Sequence, residues 1–508
     1  MLVYVALYSL LALGVWHLAR WLLSPRLSIP VVGSPKDSNV ANAVLEGHRK
    51  FSDTPFLLRT NPPRIILPMS LFKEGMRAPE THLSFMQSIH DMFQGRYTYI
   101  GRDIDDLIHT LKADLNPNIA NTLPLLQDET LHFLQTEVGT QGDWTATAVL
   151  PMMVRMIAFL NSRVFIGLPL SRDPTWVESS ISYALHVGAV QQAAQKYSYH
   201  IRPFVIPFLP EIRKIRQDLL QAREFLGPLV DQAVERHVSG SEPDDGVGTF
   251  ISWMVKRHHD SKTAAERASI NQMVLSFVAL HTTSMTAASV LLDLAERPEY
   301  MEPLREEISM VISEDGWKTA KNGLRHMSKL SFQKMSRLDS FIKESQRVHP
   351  LNLVEGWRAV RKEFTFANGL KVPRGAQLAW PLWGLYNSSF TPVLSPSYNA
   401  GAGNPGPEIF DGFRFSKLRD CHSPGGQKHS AVSTSEDSLN FGHGPHACPG
   451  RFFAIHEIKT LVVNILVDYD IRIKDIAEPT HIMQGIHMMP NPAALVELKW
   501  RGDKRVRC

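Results

Sequence analysis

Cysteine is nearly absent from this chain. Its 508 residues hold three, Cys421, Cys448 and Cys508. They are odd in number, far apart and without a CxxC pair, which excludes a disulfide framework and a structural zinc site. The scarcity fits a reducing compartment. A strong charge of either sign is also missing. The formal net charge is +4 and the basic residues are scattered. No zinc-finger or basic-helix pattern occurs, so nucleic acid is not an expected partner. There is no flavin- or dinucleotide-binding unit, with its glycine fingerprint set between a strand and a helix. No internal repeat is visible.

What remains is an ordinary globular composition, 44% apolar and 20% charged. The longest apolar run opens the chain, MLVYVALYSLLALGVWHLARWLL, residues 1–23. It holds roughly the ~20 residues needed to span a bilayer. Trp16, Trp21 and Arg20 stand near its end, as interfacial anchors do. No basic residue precedes it, whereas Arg20, Arg26 and Lys36 follow, which places the body on the cytosolic side. A cleaved signal peptide is the alternative, but a basic first region and a small-residue cleavage site are both lacking. Pro25, Pro30 and Pro35 make residues 24–36 a stiff connector, and residues 37–508 form the body.

Helical periodicity dominates from Asp103 to about Arg257, as in LLQDETLHFLQTEV and IRKIRQDLLQAREFLGPLVDQAVERHV. A long apolar helix candidate, ASINQMVLSFVALHTTSMTAASVLLDLAE, is ended by Pro298. After Pro350, EFTFANGLKVPRGAQLAWPLW reads as short strands around turns. Asp420 to Ser438 is polar and Gly/Ser-rich, which predicts a mobile surface insertion. RFFAIHEIKTLVVNILVDYD is a last helix. The fold class expected is mainly α with a smaller β-rich part, preceded by one transmembrane helix.

One cysteine sits in a turn and not in an apolar run. FGHGPHACPG, residues 441–450, carries Phe441, Gly444, Cys448 and Gly450 in the pattern F-x-x-G-x-x-x-C-x-G. Glycines let backbone approach a flat ligand closely. Pro449 is expected to begin the next helix, leaving Cys448 at its N-terminus, where a thiolate is stabilised. A thiolate in a dry pocket is a strong donor to haem iron. A redox or structural cysteine in a glycine turn is the plainer alternative.

The stretch resembles the haem-binding loop of the cytochrome P-450 superfamily, the haem-thiolate monooxygenases. CPGRFFAIHEIK extends the likeness toward fungal membrane-bound members such as ent-kaurene oxidase-like and indole-diterpene oxidases. The resemblance covers nearly the whole chain. It implies Cys448 as axial ligand of haem b, with Phe441, Gly444 and Gly450 shaping the loop. KESQR places Glu344 and Arg347 three apart on one helix face; the resemblance joins Arg414 of FDGFRF to them as a structural triad. Arg358 of VEGWRAV and His446 are implied partners of the haem propionates. Where relatives carry W-x-x-x-R on an early helix this chain has none, and His109 or Lys112 is the substitute.

VALHTTSMT interrupts the long apolar helix with polar residues. The resemblance makes it the helix crossing the oxygen-binding face, kinked, with Ala279 in place of glycine, His281 in place of an acid and Thr282 in the threonine position. Thr282, His281 and Thr283 are thus candidate catalytic residues, and an ordinary histidine pKa of ~6.5 suits proton relay near neutrality. Ala279, Thr283, Leu351, Val354, Ile486 and Met488 are the expected pocket wall, mostly apolar. The implied activity is O2-dependent oxidation of a lipophilic specialised metabolite: a terpenoid, alkaloid or polyketide-derived intermediate. Electrons come from a separate NADPH-dependent flavoprotein reductase, with cytochrome b5 as a further donor, docking near Arg451 and Lys459. The implied location is the endoplasmic reticulum membrane, single-pass, body in the cytosol. A haem-thiolate isomerase or dehydratase, and a non-catalytic membrane haem- or lipid-binding protein, stay open as alternatives.

Overall fold

A computed structural model describes residues 29–34, 37–241, 248–258, 264–387, 405–420, 429–474 and 479–502, and the isolated positions 8 and 14. The predicted membrane anchor, residues 1–23, otherwise lies outside the described residues, as do Cys421 and Cys508. Among the described residues one helical stretch, Glu266–Glu296, is long and apolar enough to cross a membrane, and most of it is buried inside the protein.

The helical half is built from α1 (Ile119–Phe133), α2 (Val149–Phe165), α3 (Pro174–Gln195), α4 (Pro210–Ser239) and α5 (Ala264–Glu296). Local chemistry sets their ends. Asp173 Oδ1 accepts from the N–H groups of Thr175 (2.7 Å) and Trp176 (3.3 Å), and Pro174 fills the first helical position of α3. Pro298 follows α5 and cannot continue it. α5 is apolar nearly all round and sits in the middle, against α2, α3 and α4. Its Met273, Phe277, Leu280, Leu291 and Leu292 are buried. Each such side chain contributes about 1.5–3 kcal/mol.

The β-rich part is a six-stranded sheet in the order β1-β2-β3-β6-β5-β4. The strands are β1 (Val31–Val32), β2 (Phe56–Leu58), β3 (Arg64–Ile66), β4 (Leu83–Ser84), β5 (Glu355–Val360) and β6 (Gln377–Trp380). β1 falls within the expected connector, so that segment is partly sheet: β-branched Val31 and Val32 pair with Leu57 and Leu58. In β5, Gly356 has φ +74 and lies under Trp380, whose ring a Cβ would meet at 2.8 Å. A separate hairpin, β7 (His481–Gln484) and β8 (His487–Pro490), folds back toward the sheet through an Asn352–His487 bridge.

Three further helices complete the frame: α6 (Ser336–Val348), α7 (Arg414–Asp420) and α8 (Arg451–Asp468). On α6, Arg347 donates to Glu344 through Nε and Nη2, both at 2.8 Å. Arg414 Nε donates to the same carboxylate at 3.2 Å, and the Asp411 N–H at 2.9 Å. The two guanidinium groups spend their other N–H groups on the carbonyls of Tyr386, Pro405, Gly406, Pro407 and Ile409. All three side chains are buried, so the cluster staples the irregular 405–411 segment to α6 and α7.

The predicted mobile insertion is corrected in part. Ala431 and Ser438 are buried, and Asp339 holds the segment through the Ala431 N–H (2.9 Å). Polarity there reflects inward hydrogen bonding and not exposure; residues 421–428 lie outside the described residues.

Glu344→Ala leaves two buried guanidinium groups without their anion. A loss of about 3–5 kcal/mol is expected, read as a lowered urea midpoint against the parent protein.

Candidate active site

The loop around Cys448 is closed by its own backbone. The Cys448 N–H donates to Phe441 O at 2.8 Å, and Ala447 N–H to Gly444 O at 3.1 Å. Gly444 adopts φ +75 with Met76 packed 3.8 Å from where its Cβ would be. α8 begins at Arg451 with Gly450 as its cap, so Pro449 stands in the preceding turn and does not open the helix as expected. Burial pushes the Cys448 thiol above its ordinary value. The N–H groups of Gly450 and Arg451 and the Arg451 charge act the other way. Arg451 Nη1 also donates to Cys448 O (2.8 Å), and Asn116 Nδ2 to Pro449 O (3.0 Å). The early helical segment therefore meets the loop through Asn116. His109 and Lys112 have exposed side chains and no polar contact among the described residues.

α5 presents one open face. Val278 is 44% exposed, and His281 and Thr282 are exposed with it, at the i, i+3, i+4 spacing of a single face. These residues lie mid-helix in the protein's interior, so the face borders a cavity. Thr283 is 3% exposed and points off this face, against its expected catalytic and pocket placement. Helix periodicity turns it about 100° from Thr282. Thr282 Oγ1 donates to Val278 O (2.8 Å), and Thr286 Oγ1 to Thr282 O (2.9 Å), while α5 stays helical throughout. His281 stacks on Phe277 at 5.8 Å, and burial lowers its pKa. It is therefore neutral near neutrality, which corrects the unshifted histidine expected from sequence.

Cations define another wall. Arg358 is 1% exposed, yet its bonds are to Trp357 O (2.8 Å) and Met76 Sδ (3.2 Å), and its Nε has no partner. Burial pulls it down to about 10. His446 is engaged elsewhere than expected: its Nε2 lies 2.8 Å from Glu80 Oε1. Against burial, hydrogen bonds from His446, Ser84 and the Phe85 N–H bring Glu80 down to about 2. Only Nδ1 of His446 is left for another acceptor. A soft, half-buried sulfur, a buried guanidinium with an orphaned N–H and no carboxylate contact, and an open face on the central helix fit haem.

The expected apolar pocket wall is mixed. Val354, Ile486 and Met488 are buried, and Leu351 and Ala279 are half-buried. Backbone bonds tie Leu353 to Ile486 (2.8 Å) and Met488 to Leu351 (3.1 Å). A polar chain missed by sequence reading runs through the same segments. Asn352 Nδ2 donates to Glu355 Oε1 (2.7 Å), Asn352 Oδ1 faces His487 Nδ1 (2.9 Å), and Gln191 Nε2 lies 3.4 Å from His487 Nε2. A cavity of about 120 Å³ lies alongside, lined by Arg64, Ser88, Met92, Gln191, Arg202 and Ile486 among others. Polar residues inside otherwise apolar stretches, Glu355 in LVEGW and His487 in GIHMM, were the available signal.

Lys459 is excluded from the expected docking face. It is 6% exposed, with Nζ on Asp339 Oδ1 (2.6 Å) and Phe332 O (3.1 Å). Arg451 is half-buried against the Cys448 loop.

Comparison with known proteins agrees with this geometry. The family model described as Cytochrome P450 matches residues 129–498. Cytochrome P450 monooxygenase 3 of Gibberella fujikuroi is 37% identical over 474 residues, 92% of this chain and 89% of that relative. Cytochrome P450 monooxygenase ascG of Acremonium egyptiacum is 34% identical, over 95% of this chain and 93% of the relative. Cytochrome P450 monooxygenase BOA4 of Botryotinia fuckeliana is 33% identical, over 96% and 94%. With a matching loop, a matching fold and relatives aligned over nearly their whole length, this chain belongs to the cytochrome P450 family and is a monooxygenase.

Proposed function

We propose that the protein is a membrane-anchored enzyme of specialised metabolism, which takes electrons from a separate NADPH-dependent flavoprotein reductase and oxidises a lipophilic small molecule. The observation that carries this reading is Cys448, half-buried just before α8 in a glycine-shaped loop. Cys448 Sγ would hold the iron of haem b, Phe441, Gly444 and Gly450 would shape the loop, and Arg358 with His446 Nδ1 would meet the propionates. Bound there, haem with a thiolate ligand supplies O2 activation and the insertion of one oxygen atom into a C–H bond. The apolar run at residues 1–23 supports attachment to the endoplasmic reticulum membrane with the body in the cytosol.

The chain's own residues handle protons and position. Thr282 spends its hydrogen on Val278 O, so its lone pairs accept from a water. Neutral His281 accepts a proton at one ring nitrogen and releases one from the other. Arg347 and Arg414, fixed by Glu344, hold the 405–411 segment in place.

Cys448→Ser is expected to lose the thiolate-type absorption of the reduced CO complex, and with it product formation. His281→Ala is expected to lower product formation by about 10²-fold while NADPH consumption continues and peroxide accumulates. Equal coupling in variant and parent would remove His281 from the relay.

Burial raises Glu355 to about 7 against hydrogen bonds from Asn352, Trp357 and Gly356. The folded state keeps a proton that the unfolded chain, at an ordinary 4.5, has lost. This contribution to stability is present below about pH 4.5 and fades as pH rises toward about 7. In Glu355→Gln the titration is gone, so the variant's Tm relative to the parent rises from about pH 5 to about pH 8.

A further inference from the structure

Arg64 is a buried cation that the fold leaves without an anion. It stands at the start of β3, is 5% exposed, and makes no ion pair or side-chain hydrogen bond among the described residues. Its Nη1 is fully buried and unpartnered. Its plane lies over the Trp357 ring, Cζ 4.5 Å from the centroid, which leaves the N–H edge to point elsewhere. Arg64 is among the residues lining the cavity of about 120 Å³. Asp91 is the acid that acts on it, and from a distance. Asp91 Oδ1 is itself taken by Gln87 Nε2 at 2.8 Å and faced by His90 Nδ1 at 3.5 Å.

The anion missing at Arg64 is not the one that Arg358 fits. Trp357 and Arg358 are successive residues of β5, so their side chains leave opposite faces of the sheet. Arg64 stacks on the Trp357 face. Gln191 and Ile486 of the lining adjoin His487 at the start of β8, and β8 packs on α5. His487 is depressed to about 4 by burial, then by His281 and Arg64, so it stands within electrostatic reach of both.

We propose that Arg64 receives a carboxylate of the substrate, making the substrate an amphiphilic acid with an apolar body and its acid group at the end remote from the oxidised carbon. This deepens the monooxygenase reading and rests on it. An unpaired buried guanidinium is unfavourable, and a carboxylate meets it with two parallel N–H bonds. Arg59 and Arg202 line the same cavity, against Asp37 and Asp91, so its ionised lining has one more cation than anions. Asp37 is occupied by the Ser34 N–H at 2.8 Å.

The test is difference-spectral titration of the haem-loaded protein with laurate, pyrenebutyrate and abietate, each beside its methyl ester. At least one acid is expected to bind about tenfold or more tightly than its ester. Arg64→Gln is expected to abolish that preference and Arg64→Lys to retain part of it, with the reduced CO spectrum of all three proteins alike. Equal binding of acids and esters by the parent, or no acid bound, overturns the proposal while a thiolate-type CO spectrum keeps the monooxygenase reading. An acid preference that survives Arg64→Gln also overturns it. A parent protein without that CO spectrum fails the monooxygenase reading itself.

Discussion

Cys448 would have to be ionised to hold iron, and the cost of a charged sulfur in that setting is the constraint to which the rest of the fold answers. Burial alone drives Cys448 toward the neutral thiol. The loop opposes it with the N–H groups at the start of α8, whose dipole adds to them. Those groups are aimed by the Phe441–Cys448 backbone bond and by Arg451 on the Cys448 carbonyl. α8 in turn rests on α1 and α5, so the long central helix and the loop are registered through one packed interface.

Buried arginines divide into two kinds, and the division separates scaffold from site. Arg347 and Arg414 are closed within the chain by one carboxylate and a ring of carbonyls. Arg358 and Arg64 are as deeply buried but keep orphaned nitrogens, and the proposed roles give each an anion from a ligand. The same side chain is a rivet in one setting and a receptor in the other.

Much of this was legible in the sequence where the signal is local. Cys448 among glycines and Glu344 three before Arg347 declare themselves within ten residues, and the apolar periodicity of α5 fixed its burial. What escaped was set by contacts across hundreds of positions. Lys459 looked like a surface cation, yet Asp339 draws it inward. Thr283 shared a polar run with Thr282, and only the helix's rotation separates them. His446 was read toward a propionate, but Glu80, some 370 positions away in sequence, lies against it. Gln191, Asn352 and His487 meet only because β7 and β8 fold back beside β5.

The Asn352 contacts fix more than a position. Its amide nitrogen faces Glu355, so its oxygen must face His487, and the hydrogen of that pair sits on the imidazole's Nδ1. The other nitrogen then carries a lone pair, which accepts from Gln191 Nε2 at 3.4 Å. With Asn352 on one ring nitrogen and Gln191 on the other, the imidazole is a fixed crosslink that ties β8 to α3 and to the segment before β5.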